Sequence, residues 1–123
     1  MVAQKDARIY VAGHTGLIGS AVLRRLAGDG YRQPITCDRA ALDLTDSAAT
    51  DRFFDEHRPD YVVLAAGRVG GIVENQRFPA DFITTNLAIQ LNVLRAARRT
   101  GVRRLIFPAS SCMYPRECPQ PMA

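Results

Sequence analysis

Seven residues near the start of the chain, Gly13-His14-Thr15-Gly16-Leu17-Ile18-Gly19, constrain its fold more than any other stretch. They follow a short apolar run rich in β-formers, Arg8-Ile9-Tyr10-Val11-Ala12. They lead into a segment from Leu17 to about Asp29 whose apolar positions, Leu17, Ile18, Ala21, Val22 and Leu26, fall near helical spacing. Glycines at such a strand-to-helix junction have separate physical uses. Gly13 allows a tight turn away from the strand, Gly16 lets a pyrophosphate approach the backbone with no Cβ in the way, and Gly19 lets helix and sheet pack closely. The helix N-terminus then offers free N–H groups and a partial positive charge to phosphate. The junction therefore predicts dinucleotide binding at Gly13, His14, Thr15, Gly16, Leu17, Ile18 and Gly19, against the plainer alternative of a structural glycine turn.

The rest of the chain continues the alternation. Pro34-Ile35-Thr36-Cys37-Asp38 reads as a second strand and Leu42-Asp43-Leu44 as a very short third. Asp46 or Ser47 caps a helix running to about His57, and Tyr61 to Ala66 is a continuous apolar strand. Residues 67–79 form a loop holding Gly70-Gly71, a long helix runs from about Ala80 to Arg99, Gly101 stops it, and Val102 to Ala109 is the last strand. Strands alternating with helices imply an α/β fold, a doubly wound parallel sheet of Rossmann-like type with right-handed crossovers. The 123 residues amount to one domain, residues 1–123. The chain stops just after a strand, where a doubly wound sheet continues, so it reads as the N-terminal half of a larger domain whose substrate-binding part is absent.

Composition narrows the function classes. With 47% hydrophobic and 23% charged residues the chain is ordinary globular protein, not a disordered one. No apolar run reaches membrane-span length and no secretory segment opens the chain, so a soluble cytoplasmic protein is expected. Cys37, Cys112 and Cys118 show no CxxC spacing, so neither a metal site nor a disulfide framework is signalled. The net charge of +4 comes with fifteen Arg and one Lys. The pairs Arg24-Arg25, Arg98-Arg99 and Arg103-Arg104 read as solvated helix faces or helix C-termini, and no dense basic tract with interleaved aromatics suggests nucleic acid.

Chemistry-bearing residues gather at predicted strand ends, where parallel sheets form their ligand crevice. Asp38 and Arg39 lie 19 and 20 residues past Gly19. An acid there binds the ribose 2′-hydroxyl of NAD, and an arginine accepts the 2′-phosphate of NADP; this chain supplies both side by side. Asp43 and Leu44 sit where a carboxylate could accept from an adenine amine, or could simply cap a turn beside a core leucine. Ala65-Ala66-Gly67 are small enough to let a ribose and nicotinamide lie against the backbone. Pro108-Ala109 end the last strand and Ser110-Ser111 follow it, beside the nicotinamide position. Ser110 could donate to a substrate carbonyl oxygen, and Cys112 could move a proton at an acidic carbon or be an ordinary buried thiol. Tyr114 lacks a lysine four residues on, where Cys118 stands, and reads as structural.

The stretches GHTGLIGSAV (13–22), AAGRVGGIVENQRFPADFI (65–83) and SSCMYP with the nearby QPMA (110–115, 120–123) resemble the N-terminal part of the GDP-L-fucose synthases, in the extended short-chain dehydrogenase/reductase superfamily. The resemblance runs from about Arg8 to Ala123. It implies an NADPH-dependent enzyme that epimerises C3 and C5 of GDP-4-keto-6-deoxy-mannose and then reduces the C4 ketone. It implies Ser110 as the hydroxyl of a Ser-Tyr-Lys set, Cys112 as the epimerisation acid or base, Arg39 as the 2′-phosphate partner, and Arg68 to Ile72 as a loop bordering cofactor and sugar. Arg68 stands where a lysine is usual, and Glu74 is atypical. A GDP-sugar is the implied partner, and a homodimer through the 80–99 helix is implied for the whole enzyme. The family's Tyr-x-x-x-Lys, its partner histidine and its substrate domain would all follow Ala123, and neither His14 nor His57 is placed to replace that histidine. The 123 residues alone are thus expected to bind NADP(H) without turning over. Another nucleotide-sugar epimerase or dehydratase, and a non-catalytic dinucleotide-binding module, are the competing readings.

Overall fold

A computed structural model of the chain describes residues 4–110, 114, 115 and 117–119. In chain order the elements are β1 (Ile9–Ala12), α1 (Leu17–Gly28), β2 (Pro34–Ile35), α2 (Ser47–His57), β3 (Tyr61–Leu64), α3 (Ile72–Arg77), α4 (Pro79–Thr100) and β4 (Arg104–Ile106). Among the described residues the strands form one four-stranded parallel sheet in the order β2-β1-β3-β4. The expected doubly wound, Rossmann-like α/β fold is present. The chain leaves β1 for β2 on one side and then returns to place β3 on the other, so a switch point lies between β1 and β3.

All four β1 residues are buried, because a strand's alternate side chains meet a helix on each face of this sheet. Ile9 and Val11 pack with Val22, Leu23 and Leu26 of α1. Tyr10 and Ala12 face the other way and join Phe53 and Phe54 of α2 with Val93, Ala96 and Ala97 of α4. The rings of Tyr10 and Phe53 lie 4.7 Å apart, and those of Tyr10 and Phe54 meet edge-on at 5.8 Å. Burial of Tyr10 pushes its phenol well above the ordinary range, so it stays neutral in the core.

Local chemistry sets the boundaries. Asp46 caps α2 by accepting from Ala49 N at 3.0 Å. Gly30 and Gly101 adopt the left-handed backbone that ends α1 and α4. Among the described residues no helix is long and apolar enough to cross a membrane.

Several expectations are corrected. Residues 42–44 are not a strand: Asp43 Oδ1 accepts from the N–H and Oγ1 of Thr45 at 2.9 and 2.8 Å, and Leu42 N donates to Asp38 O, which bends this stretch into turns. β2 and β4 shorten to two and three residues. The 67–79 loop contains α3, its first turn held by Asn75 Nδ2 donating to Gly70 O and Gly71 O at 2.9 and 3.0 Å. Of the arginine pairs, Arg98-Arg99 stands in the last turn of α4 and Arg25 in that of α1, as expected, but Arg103-Arg104 is on no helix. Arg99 also bonds Asp55 at 2.7 Å and its neighbour Arg95 bonds Asp51 at 2.8 Å, stitching α4 to α2. Arg103 lies 3.7 Å from Asp60 and Arg104 opens β4.

Candidate functional site

The glycine turn is built by close backbone approach. Gly13 has φ +80°, and a Cβ on it would meet the Ala65–Ala66 peptide at 2.7 Å, so the turn is pressed against the end of β3. Gly16 N donates to Gly13 O at 3.1 Å and closes the turn. A Cβ on Gly19 would lie 2.2 Å from Gly13 O, so α1 sits directly on the turn. Gly16 differs: its φ and ψ of −76° and 173° are open to any residue, and its Cβ would meet only Gly13 O, at 3.4 Å. Gly19 therefore serves packing, while Gly16 leaves space in front of the helix. Among the described residues no side chain caps the start of α1, a twelve-residue helix. Its first N–H groups have no partner within the helix and remain available to an anion.

That helix start faces a cavity of about 400 Å³. The turn residues Gly13 to Ile18 line it, with Asp38 and Arg39 beyond β2, Asp43 and Leu44 from the following turns, and Ala65 to Val69 beyond β3. Most of the residues singled out in the sequence thus share one cavity at the carboxyl ends of β1, β2 and β3. Gly19 lies behind the turn and outside the lining. Pro108, Ala109 and Ser110 follow β4, are exposed and are not part of this lining; Ser111 and Cys112 lie outside the described residues. Tyr10, Cys37, Leu42, Thr45, Thr85 and Ile89 line the cavity without having been anticipated. Thr85 and Ile89 are four apart on α4, a spacing that puts them on one helix face, but nothing in the sequence says which face meets the glycine turn.

Two asparagines of α4 hold the walls. Asn86 accepts from Arg68 N at 2.7 Å and donates to Arg68 O at 3.0 Å, pinning the chain beyond β3. Asn92, buried, donates to Leu44 O at 2.9 Å and Thr45 O at 3.0 Å, pinning the turns beyond β2. Arg68 lays its guanidinium over Phe82 at 4.7 Å and stands 3.7 Å from Asp81.

The charges are distributed unevenly. The Thr45 N–H and hydroxyl, helped by Arg39, hold the Asp43 carboxyl below its usual range. Burial, and secondarily Asp38, push the Cys37 thiol up, so it stays protonated. His14 Nε2 lies 3.3 Å from Asp38 Oδ1. The ensemble offers uncapped N–H donors for a diphosphate, carboxylates for hydroxyl or amino groups, and one guanidinium for a further anion. These residues fit a dinucleotide: a side chain on Gly16 would intrude on the open space before α1, which supplies the donors. Among the described residues no group of three or more His, Cys, Asp or Glu could hold a metal ion.

Residues 9–123 match the model of the NAD dependent epimerase/dehydratase family. The chain belongs to that family. Among relatives within this epimerase/dehydratase family, GDP-L-fucose synthase 1 of Arabidopsis thaliana is 48% identical over 121 residues, covering 98% of this chain and 38% of that protein. The chain spans little more than a third of the length of such curated relatives. Among solved structures, a GDP-mannoheptose C4 reductase from Campylobacter jejuni with NADP bound superposes with a TM-score of 0.93 at 36% identity, covering 99% of this chain and 38% of that one. A GDP-L-fucose synthetase from Naegleria fowleri bound to NADP gives 0.86 at 29%, covering 100% and 40%.

Proposed function

We propose that residues 1–123 are the NADP(H)-binding part of an epimerase–reductase of the GDP-L-fucose synthase type, acting in the cytoplasm on GDP-4-keto-6-deoxy-mannose. The observation that carries this is the open cavity into which the uncapped α1 N-terminus, Gly16 and Arg39 all face, in a chain 48% identical to a GDP-L-fucose synthase. Gly13 to Gly19 would hold the diphosphate, Arg39 the 2′-phosphate, and Asp43 with Leu44 the adenine. Ala65-Ala66-Gly67 would border ribose and nicotinamide, and Pro108 to Ser111 would serve the nicotinamide end of the site. NADPH, when bound, supplies hydride to the C4 carbonyl carbon. Ser110 donates a hydrogen bond to the C4 oxygen, where negative charge grows. Cys112 moves a proton at C3 or C5, whose C–H bonds the neighbouring ketone makes acidic.

For the whole enzyme we infer a homodimer through α4. Ile83, Leu87, Leu91 and Leu94 are spaced along one helix face and are all exposed, which fits burial against the same face of a second copy.

The test is a titration of the purified protein with NADPH, followed by calorimetry and by nicotinamide fluorescence. One saturable site, competed by 2′-phospho-ADP-ribose, supports the cofactor assignment; no binding refutes it. In enzyme containing Cys112 and the downstream catalytic residues, Cys112→Ser should suppress solvent deuterium uptake at C3 and C5 more than hydride consumption. Equal loss of both steps rejects the role given to Cys112.

A further inference from the structure

Asp38 conflicts with the cofactor just assigned. An acidic side chain after the second strand of a dinucleotide site favours a free ribose 2′-hydroxyl and repels a 2′-phosphate, while an arginine there attracts one. This chain carries both, Asp38 and Arg39, and both line the cavity. The structure treats them differently. The Asp38 carboxylate, itself 72% exposed, lies 3.3 Å from Nε2 of His14, whose side chain is only 19% exposed and is anchored in the glycine turn. Arg39 is in no ion pair among the described residues.

We propose that His14 is a selectivity residue for the cofactor: by engaging Asp38 it removes the acid from the ribose 2′ position and leaves Arg39 to read a 2′-phosphate. The inference rests on the dinucleotide reading above. His14 works through Asp38 and is a positioning residue. With His14 Nε2 3.3 Å from Asp38 Oδ1, the ring holds the carboxylate on the side of the turn. Without that partner the carboxylate is free to accept from a ribose hydroxyl, which favours NADH, and to repel a phosphate, which disfavours NADPH. The second position of a glycine turn would then do more than shape the backbone. It would decide which of two adjacent, opposite charges the ligand meets.

The test is a double-mutant cycle read by calorimetry with NADPH and NADH separately, each variant checked for a cooperative thermal transition. His14→Phe keeps a ring of similar size but removes both nitrogens. It is expected to lower the NADPH-to-NADH preference about tenfold, the size of one charge-assisted contact. Asp38→Asn in the native background is expected to change that preference by less than about threefold, because the charge it removes is already engaged. In the His14→Phe background the same change should restore the native preference. Equal weakening of both cofactors by His14→Phe would assign His14 a turn-packing role only, and overturn the proposal. So would a double variant that fails to recover the preference. Should His14→Phe not fold, Asp38→Asn decides alone: a gain of tenfold or more in NADPH preference would show Asp38 unneutralised and overturn it. Native protein that binds neither cofactor would remove the functional reading itself, an outcome distinct from binding with an unaltered preference.

Discussion

Gly16 and Gly19 stand three residues apart in the same turn, yet the structure separates what each does. Alanine at position 19 would place its Cβ 2.2 Å from Gly13 O, 2.7 Å from Gly13 C and 2.8 Å from His14 Cα. All three are backbone atoms and none can rotate away. Relief requires α1 to move back by about 1 Å, which opens the contact of Val22, Leu23 and Leu26 with Ile9 and Val11. Overpacking of this kind costs about 1–3 kcal/mol, and a backbone clash belongs at the upper end. At about 4 °C per kcal/mol for a domain of this size, Gly19→Ala should lower Tm by about 12 °C. The Cβ of a valine at position 16 would meet only Gly13 O, at 3.4 Å, in an extended backbone that valine accepts, so its stability cost should stay near 1 kcal/mol or below. Gly16→Val should nevertheless abolish NADPH binding, since a branched side chain would fill the space in front of the helix N–H groups. Differential scanning calorimetry and NADPH titration on both variants check the pair. A Gly19→Ala protein melting within about 2 °C of native would refute the packing argument, and unchanged affinity in Gly16→Val would refute the diphosphate position.

Three further outcomes follow from contacts described above. Asn92→Asp turns a carboxylate toward Leu44 O and Thr45 O in place of two donated bonds, so the urea midpoint should fall by the equivalent of about 3 kcal/mol; a fall of less than about 1 kcal/mol would contradict the pinning role. Asp43 has its pKa lowered in the fold, so it favours the folded state above its ordinary value near 4, and that contribution disappears as pH falls through the lowered folded value. Asp43→Asn should therefore flatten the acid limb of stability against pH below about 4, measured by urea titration, while an unchanged limb would remove this source of acid sensitivity. Leu91→Glu, on the exposed α4 stripe, should give a monomer by sedimentation in the whole enzyme without lowering Tm of the monomer.

Much of the fold was legible because its signals are local. Apolar runs at Ile9–Ala12 and Tyr61–Leu64, the cap at Asp46 and the stop at Gly101 each have a cause within a few residues. What was misread depended on competition between hydrogen bonds. Leu42-Asp43-Leu44 has a strand's alternation, but Asp43 satisfies Thr45 more cheaply by folding back on it. Residues 72–77 lie behind two glycines that suggest a loop, and the side chain of Asn75 supplies the bonds that start a helix there. The turn and strand-end residues of the cavity were visible as glycine spacing and small side chains. Thr85 and Ile89 were not, because their place depends on how α4 crosses the sheet.

The same dependence explains why α4 matters to the site more than its distance from the glycine turn suggests. Asn86 and Asn92 are six residues apart on this helix, and each reaches a backbone segment on a different side of the switch point: Arg68 beyond β3, and Leu44 with Thr45 beyond β2. Neither segment belongs to a strand, so the sheet's own hydrogen bonds do not position it. A side-chain amide supplies both a donor and an acceptor and can hold an irregular peptide from outside, which no apolar residue of the α4 core stripe can do. Val93 and Ala96 anchor the helix to the sheet through the apolar core, and Arg95 and Arg99 tie it to α2. With the helix thus fixed, the two asparagines set the distance between opposing cavity walls. A change in α4 packing should therefore register as a change in cofactor affinity even where no α4 residue near the change lines the cavity.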